Sequence, residues 1–388
     1  MTQARFDFDE IIDRRGTASE KWDKYRDRDV IPLWVADMDF RSPPAVIDAL
    51  HERVSHGVFG YTAPSEGLVR AVIDALAGEF GWQVQKEWIT WLPGLVTGLN
   101  VACRAVGATP EDEVITFTPI YPPFMSAPPL SGKTLVKVPL QYENGRWGLD
   151  LEALERAASE RTRLLLLCSP HNPVGRVWTL QELEALARFA DSRDLVICSD
   201  EIHAGLVLDQ GVSHIPIATL SPETSRRTIT LLAPSKTFNV PGLGCSFAVI
   251  SDATLRRAFR RAMGGIVPHV NLLGYTAAEA AYRNGAEWRQ ELLSYLRGNR
   301  DLVAREIATM PGLTVAHVEA TYLSWIDLRE TGISDPARFF EEAGVGLSDG
   351  AEFGLPGFVR LNFGCRRALL AEALRRMRVA LGGRRENI

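Results

Sequence analysis

Cysteine is scarce in this sequence. Of 388 residues only five are cysteine (Cys103, Cys168, Cys198, Cys245 and Cys365), and no two form a CxxC pair. That spacing excludes a disulfide framework and a zinc-finger type of metal site. Cys168 and Cys198 close the apolar runs RLLLLC and LVIC and read as small buried hydrophobes. Long apolar runs are missing too; none approaches the roughly 20 residues needed to span a bilayer. The opening MTQARFDFDEIIDRR is acidic and polar and lacks the apolar centre of a secretory signal. A reducing, cytoplasmic setting is the expectation. There is little excess charge of either sign: 43 Lys and Arg stand against 48 Asp and Glu, a net charge of -5. Nucleic acid and anionic membrane surfaces call for a basic face, which this balance does not supply. The arginines of LRRAFRRAM (255–263) and ALRRMRVALGGRR (373–385) are spaced as the wet or dimer-facing side of amphipathic helices. Internal repeats and low-complexity segments are absent as well.

What is present is apolar content, 46% of the chain, enough for two or so domains with a sizeable core. Between about residues 90 and 250, short apolar runs alternate with helical patterns. EVITF (113–117), TLVKV (134–138), RLLLLC (163–168), LVICS (195–199), TITLLA (228–233) and SFAVIS (246–251) are predicted strands. Several lack polar alternation, as strands do when helices cover both faces of a sheet. LQELEALARFADSRD (180–194) has helical periodicity, and Thr179 with Glu182 is placed to form a capping box. The pattern predicts an α/β domain with a mostly parallel sheet. Beyond about residue 270 one long helical stretch (276–310) precedes three strand-like runs, TVAHV, LSWIDL and FVRLNFG. They predict a smaller α+β unit. The expected division is an N-terminal segment (1–45) packed onto the small domain, a large domain (46–285) and a small C-terminal domain (286–388).

Ligands of α/β sheets sit beyond the carboxyl ends of the strands. After RLLLLC comes SPHNPVG with Asn172; after LVIC comes SDEIH with Asp200 and His203; after TITLLA comes PSK with Ser235 and Lys236. Each has an ordinary explanation alone: a turn Asn-Pro, a helix-capping Asp, a solvated lysine. Delivered together to one sheet edge, they are the groups that pyridoxal phosphate (PLP) requires. A lysine forms its Schiff base and a carboxylate keeps its ring nitrogen protonated. WLPGLVTGLN (91–100) offers a phosphate cradle, because Gly94 precedes a helix whose first N–H groups, at Leu95 and Val96, lack partners.

The motifs PLWVADMDF (32–40), FGYT (59–62), YPPF (121–124), SPHNPVGRVW (169–178), SDEIHAGLVL (199–208), APSKTFNVPGL (233–243) and VRLNFG (359–364) span nearly the whole chain. In order and content the chain resembles the aspartate-aminotransferase fold family of PLP enzymes. Within it, the chain is similar to the cystathionine β-lyase or C–S lyase branch, MalY/PatB. The resemblance implies a large PLP-binding domain with a mostly parallel seven-stranded sheet. It implies that Lys236 is the Schiff-base lysine and the base at the substrate Cα. Asp200 would pair with the pyridine nitrogen, Asn172 would bond the phenolic oxygen, and Tyr121 would stack on the ring. Ser235 and the backbone at Gly94, Leu95 and Val96 would hold the phosphate. Tyr61 would reach the phosphate and the substrate in a neighbouring subunit, which makes the enzyme a homodimer with shared sites. Arg360 would clamp the substrate carboxylate bidentately, with the backbone at Ala36 and Asp37 closing over it and Asn172 beside it.

Two departures from the transaminase pattern stand out. His203 occupies the place of a tyrosine that touches the phenolic oxygen, which puts it among the expected cofactor-binding residues, and it suits a structural or a catalytic role equally, for instance by bonding Asp200. The stretch FNVPGLG after Lys236 lacks the usual phosphate-binding arginine. The expected activity is α,β-elimination from L-cystathionine or a related L-cysteine S-conjugate, yielding a thiol, pyruvate and ammonia. An aminotransferase with a 2-oxo acid co-substrate uses the same residues, and a regulatory PLP-binding protein is a third reading. Side-chain specificity is expected from the loops at 34–40, 59–62 and 322–325.

Overall fold

A computed structural model describes residues 6–107 and 109–385. The large sheet has seven strands: β1 (Ile89–Leu92), β2 (Glu113–Thr118), β3 (Thr134–Pro139), β4 (Thr162–Cys168), β5 (Val196–Asp200), β6 (Thr228–Leu232) and β7 (Ser246–Val249). Their spatial order is β1-β7-β6-β5-β4-β2-β3. β7 is antiparallel to both neighbours, and the other pairs are parallel. Leu164 and Leu166 of β4 pack with Leu99, Phe124 and Phe259 on one face; Leu165 and Leu167 pack with Leu183 and Leu186 on the other. That two-sided burial is why β4 reads as an unbroken apolar run.

Six strands fall where the apolar runs predict them, with ends shifted by a residue or two. β1 is the one that reading missed. It is four residues long, runs straight into Pro93-Gly94, and gains its identity only by pairing with β7, Leu92 against Ser246. Helix Leu180–Ser192 carries the predicted capping box, with the Thr179 hydroxyl accepting from Glu182 N and the Glu182 carboxylate from Thr179 N. On helix Ala253–Met263 the arginines are not all solvent-facing. Arg256 donates to the Ile250 carbonyl at 2.7 Å and Arg260 to the Ile89 carbonyl at 3.1 Å, so two of them tie the helix to strand ends.

The single long helix predicted for 276–310 is two, Leu272–Asn284 and Ala286–Ile307. They break at Gly285, where a Cβ would meet the Phe238 ring at 2.5 Å. The smaller sheet is antiparallel, in the order β8 (Thr314–Val315), β9 (Leu323–Asp327), β11 (Phe358–Asn362), β10 (Ser348–Asp349). Of the run TVAHV only two residues pair. The N-terminal segment joins this part of the molecule: Ile31–Pro32 pairs with Val345–Gly346, and Phe8, Leu33, Met38 and Phe40 share a core cluster with Leu292, Tyr322 and Leu361. Residues 1–5 and 386–388 of the expected outer segments lie outside the described residues.

Candidate active site

β4, β5 and β6 run parallel and end side by side, so Asn172, Asp200 and the Ser235-Lys236 pair emerge at one edge of the sheet. They open into a cleft of about 390 Å³ whose far wall comes from β10, β11 and residues 34–36. Gly94, Leu95, Val96, Tyr121, His203, Ala36 and Arg360 line the same cleft.

Pro234 ends the apolar run, and the chain turns so that the half-buried Lys236 points its Nζ at the Ala36 carbonyl, 2.5 Å away. Burial, and next the positive charge of Arg360, lower the Lys236 pKa to about 8, against the pull of Asp37 and Asp200. Asp200 is buried, and its carboxylate accepts a hydrogen bond from Ile202 N at 3.1 Å. Burial raises its pKa to about 7, reinforced by Glu201 and opposed by the Ile202 N–H and Lys236. A buried carboxyl with no cation bonded to it among the described residues fits a protonated ring nitrogen.

Arg360, 5% exposed, is the counterpart on the far wall. Its Nη1 donates to Asn172 Oδ1 at 3.1 Å and its Nη2 to the Trp34 carbonyl at 2.9 Å, and it rests 4.6 Å over the Phe353 ring. No carboxylate bonds it among the described residues, its buried Nε has no partner, and burial lowers its pKa to about 10. A guanidinium held this way is preset to receive a carboxylate. Tyr121 donates its backbone N–H to the Asn172 carbonyl, and its side chain packs between the clusters on both faces of the sheet.

Helix Leu95–Ala105 starts at Gly94, extended and without a side-chain cap, so its first N–H groups face the cleft. A Cβ at Gly94 would meet nothing within 4 Å, whereas one at Gly98 would meet Leu231 at 3.0 Å. The first glycine leaves room for an anion and the second lets the helix lie close on β6. With Ser235 beside it, this helix start fits a phosphate.

Three expectations need adjustment. His203 does not bond Asp200: its Nδ1 is buried without a partner, its ring stands edge-on to Tyr322 at 6.3 Å, and burial drops its pKa to about 3, so it is neutral. Asp37 does not line the cleft. Its carboxylate meets Arg14 at 2.6 Å and its carbonyl accepts from Asn362 Nδ2 at 2.7 Å, so both groups anchor the segment. Of the run 322–325, Trp325 is core, stacked on Phe358 at 5.2 Å, and Tyr322 is fully buried with its hydroxyl on the Ala36 carbonyl at 2.7 Å. Tyr61 is fully exposed, on a loop with Val58 and Phe59, and lies outside this chain's own cleft.

Ser348, Phe353, Glu20 and Glu352 line the cleft without having been singled out in the sequence. Ser348 had a usable signal only through register, since it pairs directly with Arg360 across β10 and β11.

The profile of the family described as Aminotransferase class I and II matches residues 28–377. Cystathionine beta-lyase PatB of Bacillus subtilis (strain 168) is 38% identical over 390 residues, covering 96% of this chain and 99% of that protein. The crystal structure of OvoB superposes with a TM-score of 0.95 at 51% identity, covering 97% of this chain and 99% of that one. The PLP-bound C-S lyase from Staphylococcus hominis superposes with a TM-score of 0.91 at 31% identity, covering 97% and 98%.

Proposed function

The chain belongs to the aminotransferase class I and II family, and from that premise we propose that it is a PLP-dependent C–S β-lyase. It cleaves L-cystathionine or a related L-cysteine S-conjugate to a thiol, pyruvate and ammonia. The observation that carries this reading is a single cleft holding Lys236, Asp200, Asn172 and Arg360 in a chain that matches cystathionine β-lyases over nearly its full length.

In this assignment the start of helix Leu95–Ala105 and Ser235 hold the cofactor phosphate, Asp200 faces the ring nitrogen, and Tyr121 packs on the ring. PLP, when bound, supplies an electron sink for negative charge developing at the substrate Cα. The rest falls to side chains. Arg360 fixes the substrate carboxylate through a planar fork already oriented by Asn172, Trp34 and Phe353. Lys236 Nζ, with its pKa brought near neutrality, takes the Cα proton. The Asn172 amide nitrogen is left to donate to the cofactor oxygen, because Oδ1 already accepts from Arg360. Departure of the thiolate from Cβ follows, and hydrolysis of the remaining enamine gives pyruvate and ammonia.

The working unit is proposed to be a cytoplasmic homodimer, with Tyr61 reaching the phosphate of a second copy. Its support is the exposed loop with Val58 and Phe59 at 61% and Tyr61 at 108% exposure, an apolar surface unusual for a monomer. The five buried, unpaired thiols agree with a reducing compartment, and no helix among the described residues is long and apolar enough to cross a membrane. Holoenzyme given L-cystathionine or L-djenkolate is expected to release pyruvate and free thiol without any 2-oxo acid. A strict requirement for a 2-oxo acid, with no thiol formed, would refute the lyase assignment in favour of an aminotransferase.

A further inference from the structure

The lyase reading leaves open what the departing thiol carries. Besides Asp200, the cleft holds two carboxylates, Glu20 and Glu352, beside the aromatic walls Trp34, Tyr121 and Phe353. Glu20 opens the short helix Glu20–Asp23, and Glu352 sits in the turn Gly350–Phe353, next to the ring that carries Arg360. Both are exposed, and among the described residues neither is bonded to a cation. Each is close enough to the reacting groups for its charge to be felt, Glu352 at Arg360 and Glu20 at Tyr121.

The cations of the cleft, Lys236 and Arg360, are committed to the cofactor and to the substrate carboxylate. Lys24 shares an adjoining groove with Glu352, but its ammonium lies over the Trp34 ring at 4.6 Å. Arg360 Nε and His203 Nδ1 are buried without partners in residues 5% and 2% exposed, so the interior is built for a polar ligand. Since His203 is neutral and the two interior cations are taken, the charge left for the distal end of a substrate is negative.

We propose that Glu20 and Glu352 select, among L-cysteine S-conjugates, those whose departing thiol bears a cationic group such as an ammonium over those bearing a carboxylate. This rests on the lyase reading of the same site. A distal ammonium gains both carboxylates and the aromatic faces, whereas a distal carboxylate meets like charge, and among the described residues no uncommitted cation lines the cleft.

The test compares kcat/KM for S-(2-aminoethyl)-L-cysteine and S-(2-carboxyethyl)-L-cysteine in the wild-type holoenzyme, in E20Q, in E352Q and in the double variant. The two thiols differ in acidity, but that difference cancels in the change of the ratio between proteins. The ratio is expected to fall about three-fold for each substitution and about ten-fold for both. It should also shrink in wild type as salt is raised. An unchanged ratio in the double variant, with pyruvate still forming, overturns the proposal and leaves the lyase reading intact. If no conjugate yields pyruvate, the lyase reading itself fails, and calorimetry of the holoenzyme with L-lysine and L-2-aminopimelate decides charge selection separately. Tighter binding of L-lysine that is lost in the double variant supports the proposal; equal binding of the two overturns it.

Discussion

The floor of the cleft and its roof are built in opposite ways. The floor is the end of a parallel sheet. Asn172, Asp200 and Lys236 are placed there by strands whose side chains are mostly apolar and almost all buried. The roof, residues 34–40, has almost no regular structure and is suspended from polar groups. Lys21, with no exposed surface, reaches Asp39 at 2.9 Å and the Asp37 carbonyl at 3.3 Å. Arg14 bridges Asp37 and Asp39, both at 2.6 Å, and Trp22 Nε1 donates to Asp39 at 2.9 Å. Burial pushes the Asp39 carboxyl up, but Lys21, Trp22 and Arg14 outweigh it and hold it below the usual range. Hydrophobic packing therefore supports the chemistry from below, and a buried ionic network holds the lid segment above it.

The sharpest break in that contrast is on the floor. Lys236→Ala should cut pyruvate release at least about 10³-fold while leaving the fold intact, since a base and an attachment point are lost together; retained turnover would remove Lys236 from the chemistry. Next comes the roof. Lys21→Met should cost roughly 3 to 4 kcal/mol in urea melts, because Asp39 loses a fully buried partner, and it should raise KM more than it lowers kcat. An unchanged midpoint would mean that the remaining Arg14 and Trp22 contacts hold the segment alone.

A third measurement sets function against stability at one residue. The folded pKa of Asp200, about 7, lies above the ordinary carboxyl value of 3.8. The native state therefore binds a proton more readily than the unfolded chain, and its stability contribution is full at low pH and is lost as pH rises through about 7. Cofactor-free Asp200→Asn should be more stable than wild type at pH 8 by roughly 4 kcal/mol. The gap should close near pH 4, and the same variant should be crippled as an enzyme. Smaller is the pH dependence of cofactor loading. With Lys236 near 8, the rate of appearance of bound-cofactor absorbance in apoprotein should rise about ten-fold from pH 7 to 9 and then level off. A lysine of ordinary basicity would keep climbing. Smallest is Tyr322→Phe, which removes one hydrogen bond to the Ala36 carbonyl and should cost about 1 kcal/mol in thermal or urea unfolding.

The same contrast explains what could be read from the sequence. Asn172, Asp200 and Lys236 each follow an apolar run, so strand periodicity alone placed them at one edge. Arg360 followed from the resemblance, through VRLNFG. The roof defeated such reading because its partners lie far off along the chain: Lys21, Asn239 and Asn362 all bond residues 34–40, and none has a local pattern that announces it. The pairings that anchor Asp37, with Arg14 and Asn362, are of the same kind, and the motif PLWVADMDF does not announce them. β1 and the break at Gly285 were hidden likewise. One depends on pairing with β7 and the other on the Phe238 ring, contacts made only after folding.

Asn239 sits three residues past Lys236 with φ 54, in a left-handed conformation that asparagine tolerates better than most residues. Its side chain accepts from Met38 N at 3.0 Å and donates to the carbonyls of Met38 at 3.0 Å and Phe40 at 2.7 Å. The turn that carries the lysine and the segment that covers it are thereby stitched by one amide. For protein engineering this makes the N-terminal forty residues a poor module to exchange on their own. A chimera that imports this segment from a relative will hold its register over the lysine only if the donor's residue at the Asn239 position comes with it.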